Sequence, residues 1–121
     1  MDYESARAYC LAKVEASEGY PFGVGTLVFK VAGRMFALLR EDGEPLSMNL
    51  KCDPEDALAL RDQYETITPG YHMDKRHWNT LVLDGSLSDD LVRELIDHSY
   101  NQVVQKLKVV DRERILKRMK K

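Results

Sequence analysis

The sequence lacks the features that mark several large classes of protein. Cysteine occurs only twice in 121 residues, as Cys10 and Cys52, which are too far apart for a C-x-x-C pair. This excludes a disulfide framework and gives no indication of a zinc or redox site. No apolar run approaches the roughly 20 residues that span a bilayer, and residues 1–4 lack the basic start of a signal peptide. We therefore expect a cytoplasmic protein that does not bind membranes.

Recognisable catalytic motifs are also missing. Gly23-Val24-Gly25 lacks the third glycine of a dinucleotide-binding fingerprint and the Lys-Ser/Thr of a P-loop. Ser99 follows His98 but lacks the flanking glycines of a nucleophile elbow. The sequence therefore indicates a binding protein rather than an enzyme, and it implies no cofactor.

Positive charge is scarce over most of the chain. Residues 106–121 contain eight basic and two acidic residues and carry +6, whereas the whole chain carries −2. The preceding 105 residues therefore sum to −8. An acidic body does not attract a polyanion through its overall field. Any nucleic-acid binding must come from a local basic patch or from the C-terminal segment.

Apolar periodicity and turn signals predict one α+β domain. Asp53-Pro54 begins a helix because aspartate accepts from the free amides and proline suits the first helical position. The predicted helices cover residues 3–16, 53–64 and 88–107. The predicted strands cover residues 27–31, 35–40, 46–51, 66–68 and 78–83. This order favours an antiparallel sheet with helices packed on one face.

The last predicted helix has the clearest pattern. Ser88 is placed to cap its first turn. Its apolar face consists of Leu91, Val92, Leu95, Ile96, Tyr100, Val103, Val104 and Leu107. We expect this face to form the core, so that Leu95→Ala would cost about 2–5 kcal/mol.

Residues 69–80 combine cations, aromatic groups and hydrogen-bonding side chains. Lys75 and Arg76 are suited to meet phosphates. His77, Asn79 and Tyr71 are suited to donate hydrogen bonds or to stack on bases. This composition favours a nucleic-acid contact.

The same residues allow other interpretations. Trp78 is expected to anchor the sheet to the helices, because large aromatic side chains are mostly buried. A pocket around Tyr71, His72 and Trp78 would instead bind a small ligand or a protein. His72, Asp74 and His77 have metal-ligand atoms without an established spacing, so we expect no bound metal.

The predicted strands place further cations on one face of the sheet. Counting alternate residues puts Arg40 on the same face as Phe36, and Lys30 and Lys51 on neighbouring strands share that face. Arg34 lies at the tip of the predicted hairpin. These residues form either a shallow basic groove or an ordinary solvent-exposed face whose cations discourage edge pairing.

Five segments of the chain occur in a characteristic order, and they are Tyr20-Pro21-Phe22-Gly23, residues 29–39, Leu50-Lys51-Cys52-Asp53-Pro54, residues 71–80 and Asp97-His98-Ser99-Tyr100. These segments and their order resemble the MmcQ/YjbR family, over about residues 3–107. The resemblance implies a family domain over residues 1–108 and a basic C-terminal extension over residues 109–121. It also implies a fold similar to CyaY, the bacterial frataxin. Iron handling is not implied, because the first helix mixes acidic and basic residues.

The family is described as predicted DNA-binding proteins of a double-wing type, in which the wings are β-hairpins. The resemblance therefore implies a non-enzymatic, regulatory DNA-binding protein, which we expect to be a monomer that binds duplex DNA. The predicted nucleic-acid contacts are Lys30, Arg34, Lys51, Lys75, Arg76, His77 and Asn79. The alternative is a protein- or small-ligand-binding module that uses the pocket around Tyr71, His72 and Trp78.

Overall fold

The computed structural model of the protein describes residues 1–71 and 73–120, and these form four helices and six strands. The helices are α1 (Tyr3–Leu11), α2 (Pro54–Gln63), α3 (Asp89–Gln105) and α4 (Val109–Met119). The strands are β1 (Ala16–Gly19), β2 (Thr26–Val31), β3 (Arg34–Arg40), β4 (Ser47–Lys51), β5 (Ile67–Pro69) and β6 (Trp78–Val82). Within this part of the chain, no helix is long and apolar enough to cross a membrane.

The six strands form one antiparallel sheet in the order β1-β2-β3-β4-β6-β5. The helices pack on one face, where α1 and α3 lie over β1–β4 and α2 lies over β5 and β6. The backbone N–H of Asp53, the N-cap of α2, donates to Nε2 of His98 on α3 at 3.2 Å, which joins the two helices. The predicted α+β class is confirmed.

The first helix is shorter than its apolar spacing predicts. It ends at Leu11, and Ala16 already pairs with Val31 in the sheet. Glu15 has a φ of 57°, a left-handed conformation that cannot continue a right-handed helix. The prediction of helix to residue 16 was therefore wrong, because β1 depends on pairing with a distant strand that local periodicity does not reveal.

Helix α3 supplies the largest part of the core. Ile96 and Tyr100 are completely or almost completely buried, whereas Leu91 and Leu95 lie at the margin and are only partly buried. The predicted apolar face is correct in outline, but its centre is Ile96 and Tyr100 rather than Leu95. We therefore expect Leu95→Ala to destabilise the domain less than a substitution at the fully buried Ile96.

A β-bulge in β3 changes the face on which Phe36 lies. Phe29 pairs with Ala37, whereas the next residue, Lys30, pairs with Met35. Phe36 is thus an extra residue whose ring enters the helix-covered core and does not share the face of Arg40. The prediction from strict alternation was wrong at this position.

Helix α4 is part of the domain core, although it was predicted as a basic extension. Ile115 is completely buried in the main core. Arg114 donates two hydrogen bonds of 2.9 Å to the Glu15 carboxylate, and Arg118 lies 3.1 Å from it. Apolar burial and a bidentate ion pair together hold α4 against the start of β1.

This contact predicts an acid-dependent loss of stability. Hydrogen bonds from Arg114, together with those from Arg118, lower the pKa of Glu15 from 4.5 to about 2. A depressed carboxyl pKa stabilises the folded state above pH 4.5, and this contribution is lost as the pH falls through about 2. We expect Glu15→Gln to flatten the decline of the unfolding free energy in this pH range. Urea titrations at a series of pH values measure the unfolding free energy. Identical declines for the wild type and for Glu15→Gln would show that the ion pair of Glu15 and Arg114 does not stabilise the fold.

Candidate nucleic-acid interface

One end of the sheet gathers cations from distant parts of the chain. In this antiparallel arrangement β2 and β4 end where β3 and β6 begin. Residues 70–71 and 73–77, which we call the 70–77 loop, precede β6 at this end. Lys106 is the C-cap residue of α3. We call this region the basic end, and its cations are Lys30, Arg34, Lys51, Lys75, Arg76 and Lys106.

Lys51 lies at the centre of the basic end. Burial lowers the pKa of Lys51, and the positive charges of Lys106 and Arg34 lower it further. Among the charges of the described residues, that of Asp74 acts in the opposite direction and raises the pKa of Lys51. Like charges held close together cost free energy in the isolated protein. A bound anion would relieve this repulsion.

Backbone and side-chain hydrogen bonds hold the 70–77 loop against the sheet. The N–H of Cys52 donates to the carbonyl of His77 at 2.7 Å, which joins the loop to the end of β4. The Asp74 carboxylate accepts from the N–H of Arg76 at 3.0 Å and lies 2.8 Å from Nδ1 of His77. These hydrogen bonds lower the pKa of Asp74. The ring of His77 is thereby oriented at the edge of the basic end.

Arg61 of α2 fixes the other side of the loop, a role that sequence reasoning missed. Its Nε donates to Oδ1 of Asn79 at 2.6 Å. Its Nη2 donates to the carbonyl of Lys75 and, at 3.3 Å, to that of Trp78. Since Arg61 lies in the last turn of α2, its position alone suggests only a favourable interaction with the helix dipole.

Asn79 was predicted to contact nucleic acid, but it does not lie on the exposed surface. It pairs with the core residue Leu50, which places its side chain on the helix-covered side of β6. Only 2% of the residue is exposed. Its amide oxygen accepts from Arg61, and so Asn79 positions Arg61 instead of reaching a ligand.

Trp78 lies on the opposite side of β6, on the face without helices. It packs with Val28 and Leu38, and Met73 covers it from the loop. A Cβ atom at Gly70 would lie 2.8 Å from that of Trp78, so only glycine allows the loop to approach this closely. Trp78 therefore anchors the 70–77 loop to the face without helices. The prediction that Trp78 anchors the sheet to the helices was wrong.

The predicted pocket is partly closed by the same packing. Trp78 is 8% exposed, which leaves little of the indole for a ligand. Tyr71 is 55% exposed, and the guanidinium of Arg40 lies 5.6 Å from the centre of its ring. The backbone N–H of Tyr71 donates to Oγ1 of Thr80 at 3.1 Å. His72, the third predicted member, lies outside the described residues.

A metal centre is not seen in residues 1–71 and 73–120, which contain no group of three or more histidine, cysteine or acidic side chains arranged to hold an ion. Asp74 and His77 form a pair, and their predicted partner His72 lies outside this part of the chain. The expectation that no metal is bound remains a prediction.

The opposite end of the sheet is acidic, which explains how a chain of net charge −2 presents a basic surface. The β3–β4 connection carries Glu41, Asp42 and Glu44. Glu41 accepts from the hydroxyl of Tyr3 and, at 2.9 Å, from that of Tyr20. Helix α3 also begins at this end with its acidic first turn and ends at Lys106, as the helix dipole favours. The carboxylates of the β3–β4 connection and of the first turn of α3 thus lie at the end of the sheet opposite the basic end.

Comparison with known proteins identifies the relatives of the chain. The family model described as YjbR matches residues 11–102. The protein YbdF of Escherichia coli O157:H7 is 38% identical over 114 residues, which cover 93% of this chain and 93% of YbdF. YjbR of Escherichia coli strain K12 is 37% identical over 99 residues, which cover 82% of this chain and 84% of YjbR.

Solved structures have the same fold. The crystal structure of Deinococcus radiodurans protein DR2400, a DUF419 domain, matches with a TM-score of 0.87 and 37% identity, over 93% of this chain and 86% of that one. A Pseudomonas syringae crystal structure matches with a TM-score of 0.72 and 27% identity, over 82% of this chain and 96% of that one. None of these relatives carries a name that states an activity. The resemblance seen in the sequence motifs is confirmed, and the chain belongs to the YjbR family.

Proposed function

We propose that this protein is a non-enzymatic DNA-binding protein whose basic end contacts the phosphate backbone of duplex DNA. The observation that supports this function is the proximity of Lys51 to Arg34 and Lys106 at the basic end, where burial, and then repulsion by Lys106 and Arg34, lower the pKa of Lys51. Phosphate binding relieves that repulsion and releases counterions from the DNA. Lys75 and Arg76 extend the surface along the 70–77 loop.

The proposed DNA contact does not use two equivalent β-hairpin wings. The β2–β3 hairpin presents Arg34 at its tip and serves as one wing. The β3–β4 hairpin carries Glu41 and Glu44 at the acidic end and would repel phosphate. The second element of the interface is therefore the 70–77 loop, which leads into β6 and is separated from the β2–β3 hairpin by β4.

The carboxylates at the acidic end also orient the approach to DNA. The acidic end, with Asp89 and Asp90 in the first turn of α3, is repelled by the polyanion. The basic end is attracted to it, so the encounter favours one orientation even though the net charge is negative. Contacts of this kind position the protein on DNA without reading its sequence.

Removing the loop cations tests this function. We expect Lys75→Ala/Arg76→Ala to weaken binding by a similar factor on unrelated duplexes and to reduce the slope of log K against log salt by about two units. Fluorescence anisotropy titrations at several salt concentrations measure both. Arg93→Ala is the matched control, because Arg93 is a cation near the start of α3 at the acidic end and pairs with Asp90. Equal losses for the two proteins would contradict the assignment of the interface.

The cations of α4 need their own control. Deleting the helix would expose the core site of Ile115, so loss of binding by a truncated protein would be ambiguous. Lys117→Ala/Lys120→Ala removes two exposed charges and leaves Ile115 in place. We expect a smaller loss than for the loop variant. A larger loss would assign DNA binding to α4 and overturn the proposed interface.

A further inference from the structure

A groove lies between α2 and the 70–77 loop, next to the basic end. It has a volume of about 480 Å³ and is lined by Pro54, Glu55, Leu58, Arg61, Lys75 and Arg76. Its chemistry differs from that of the rest of the basic end, because Pro54 and Leu58 supply apolar surface between the cations. Leu58 is 64% exposed, so its side chain is accessible to a ligand in the groove.

The walls of the groove are held in place by the structure around it. Arg61 donates to Asn79 on one side and to the loop carbonyls of Lys75 and Trp78 on the other, so its guanidinium forms a fixed wall. Lys75 donates from Nζ to the carbonyl of Gly70 at 3.2 Å. A groove that keeps its shape without a ligand loses less entropy when a ligand binds.

The amino end of α2 does not supply the anion site. Asp53 accepts from the free N–H groups of Glu55 and Asp56, at 3.2 and 3.4 Å. A phosphate in the groove must therefore be met by side chains, and Lys75 and Arg76 are the cations on its loop side. Glu55 on the helix side repels a phosphate, so the ligand is oriented with its phosphate toward the loop.

We infer that this groove binds an unpaired nucleotide, with the base against Leu58 and Pro54 and the phosphate at Lys75 and Arg76. The inference rests on the proposed DNA-binding function and specifies the form of DNA at this site. In a duplex the base faces are stacked on one another, so they cannot cover the exposed apolar surface between the cations. A single strand offers both a base face and a phosphate. The volume of the groove falls within the range of small-ligand sites, about 300–1,000 Å³.

Substitutions at Leu58 separate base contact from phosphate contact. The probes are a labelled oligothymidine and a dT·dA duplex of the same length. We expect Leu58→Ala to weaken binding of the single strand roughly fivefold, with less than about a twofold change on the duplex. Leu58→Trp should strengthen single-strand binding by a similar factor, because indole stacks well on bases. Val24→Ala is the control, since Val24 is completely exposed at the acidic end.

Each remaining outcome contradicts a different claim. If both probes bind but neither Leu58 variant changes the affinity for the single strand, the groove is not a base site, and the proposed DNA-binding function stands. If the intact protein binds neither probe at low salt, the proposed function fails and the inference fails with it. If polyglutamate displaces oligothymidine as well as unlabelled oligothymidine does, the groove recognises negative charge alone, and the inference of a nucleotide is wrong.

Discussion

Replacing four exposed cations of the basic end together is expected to abolish most of the affinity for duplex DNA. The variant is Arg34→Ala/Lys75→Ala/Arg76→Ala/Lys106→Ala. At low salt we expect a loss of at least about a hundredfold, and the slope of log K against log salt should shrink by about four units. The physical reason is that each cation that neutralises a phosphate releases about one counterion. Fluorescence anisotropy titrations over a range of salt concentrations provide both quantities.

Stability serves as the internal control for this variant. All four side chains are exposed, so each substitution should change the unfolding free energy by no more than about 0.5 kcal/mol. Removal of like charges around Lys51 should even favour the folded state, since Lys106 and Arg34 lower the pKa of that lysine. A folded variant that still binds DNA with the wild-type salt slope would show that the phosphates are met elsewhere.

The second large effect is expected at Tyr100, in the centre of the core. Tyr100 is 1% exposed, and its ring forms a T-shaped contact with that of Phe36, at a centroid distance of 5.2 Å and an interplanar angle of 88°. Its hydroxyl donates to the carbonyl of Val14 at 2.6 Å. We expect Tyr100→Ala to lower the unfolding free energy by about 3–5 kcal/mol, because a large cavity opens under α3. Urea titration followed by circular dichroism measures it.

Two comparison variants separate the contributions of Tyr100. Tyr100→Phe keeps the ring and removes the hydroxyl, so we expect a smaller loss of about 1–3 kcal/mol from the unpaired Val14 carbonyl. Phe22→Ala removes an aromatic ring that is 65% exposed and should cost no more than about 0.5 kcal/mol. A loss of this small size for Tyr100→Ala would mean that the core is not organised around α3.

Local sequence patterns predicted much of the fold, because the interactions that form these elements join residues that are close together in the sequence. Ser88 and Asp53 cap α3 and α2 as expected, by accepting from backbone N–H groups of the first turn. The β2–β3 hairpin forms around Gly33, whose φ of 79° favours glycine at this turn. The alternation in β4 places Met48 and Leu50 in the core. Each of these features depends on neighbours within a few residues.

The errors arose where a distant contact decides the structure. Strand β1 forms because Ala16 pairs with Val31, and the sequence near residue 16 does not predict that pairing. The bulge at Phe36 is stabilised by Ser99 of α3, whose hydroxyl donates to the Phe36 carbonyl at 2.5 Å and accepts from the N–H of Lys51 at 2.8 Å. Period-2 counting along β3 alone cannot include that contact.

The candidate site was only partly predictable for the same reason. Alternation correctly places Lys30 and Lys51 on the face without helices, since Lys51 pairs with Trp78 and Lys30 follows Val28 by two residues. Their association with Lys106 depends on where α3 ends relative to the sheet, which periodicity does not reveal. Asn79 was predicted as a ligand contact because its side chain can donate hydrogen bonds, but the residue is buried and its amide oxygen accepts from Arg61 inside the fold.

The salt dependence of duplex-DNA binding by the intact protein tests the proposed function most directly. Anisotropy titrations with two duplexes of unrelated sequence, at ionic strengths from low to physiological, give log K as a function of log salt. If the basic end binds phosphates, log K falls linearly with a slope of magnitude about four to six, and the two duplexes give the same slope. A slope near zero, or no binding at the lowest salt, would contradict DNA binding by this protein.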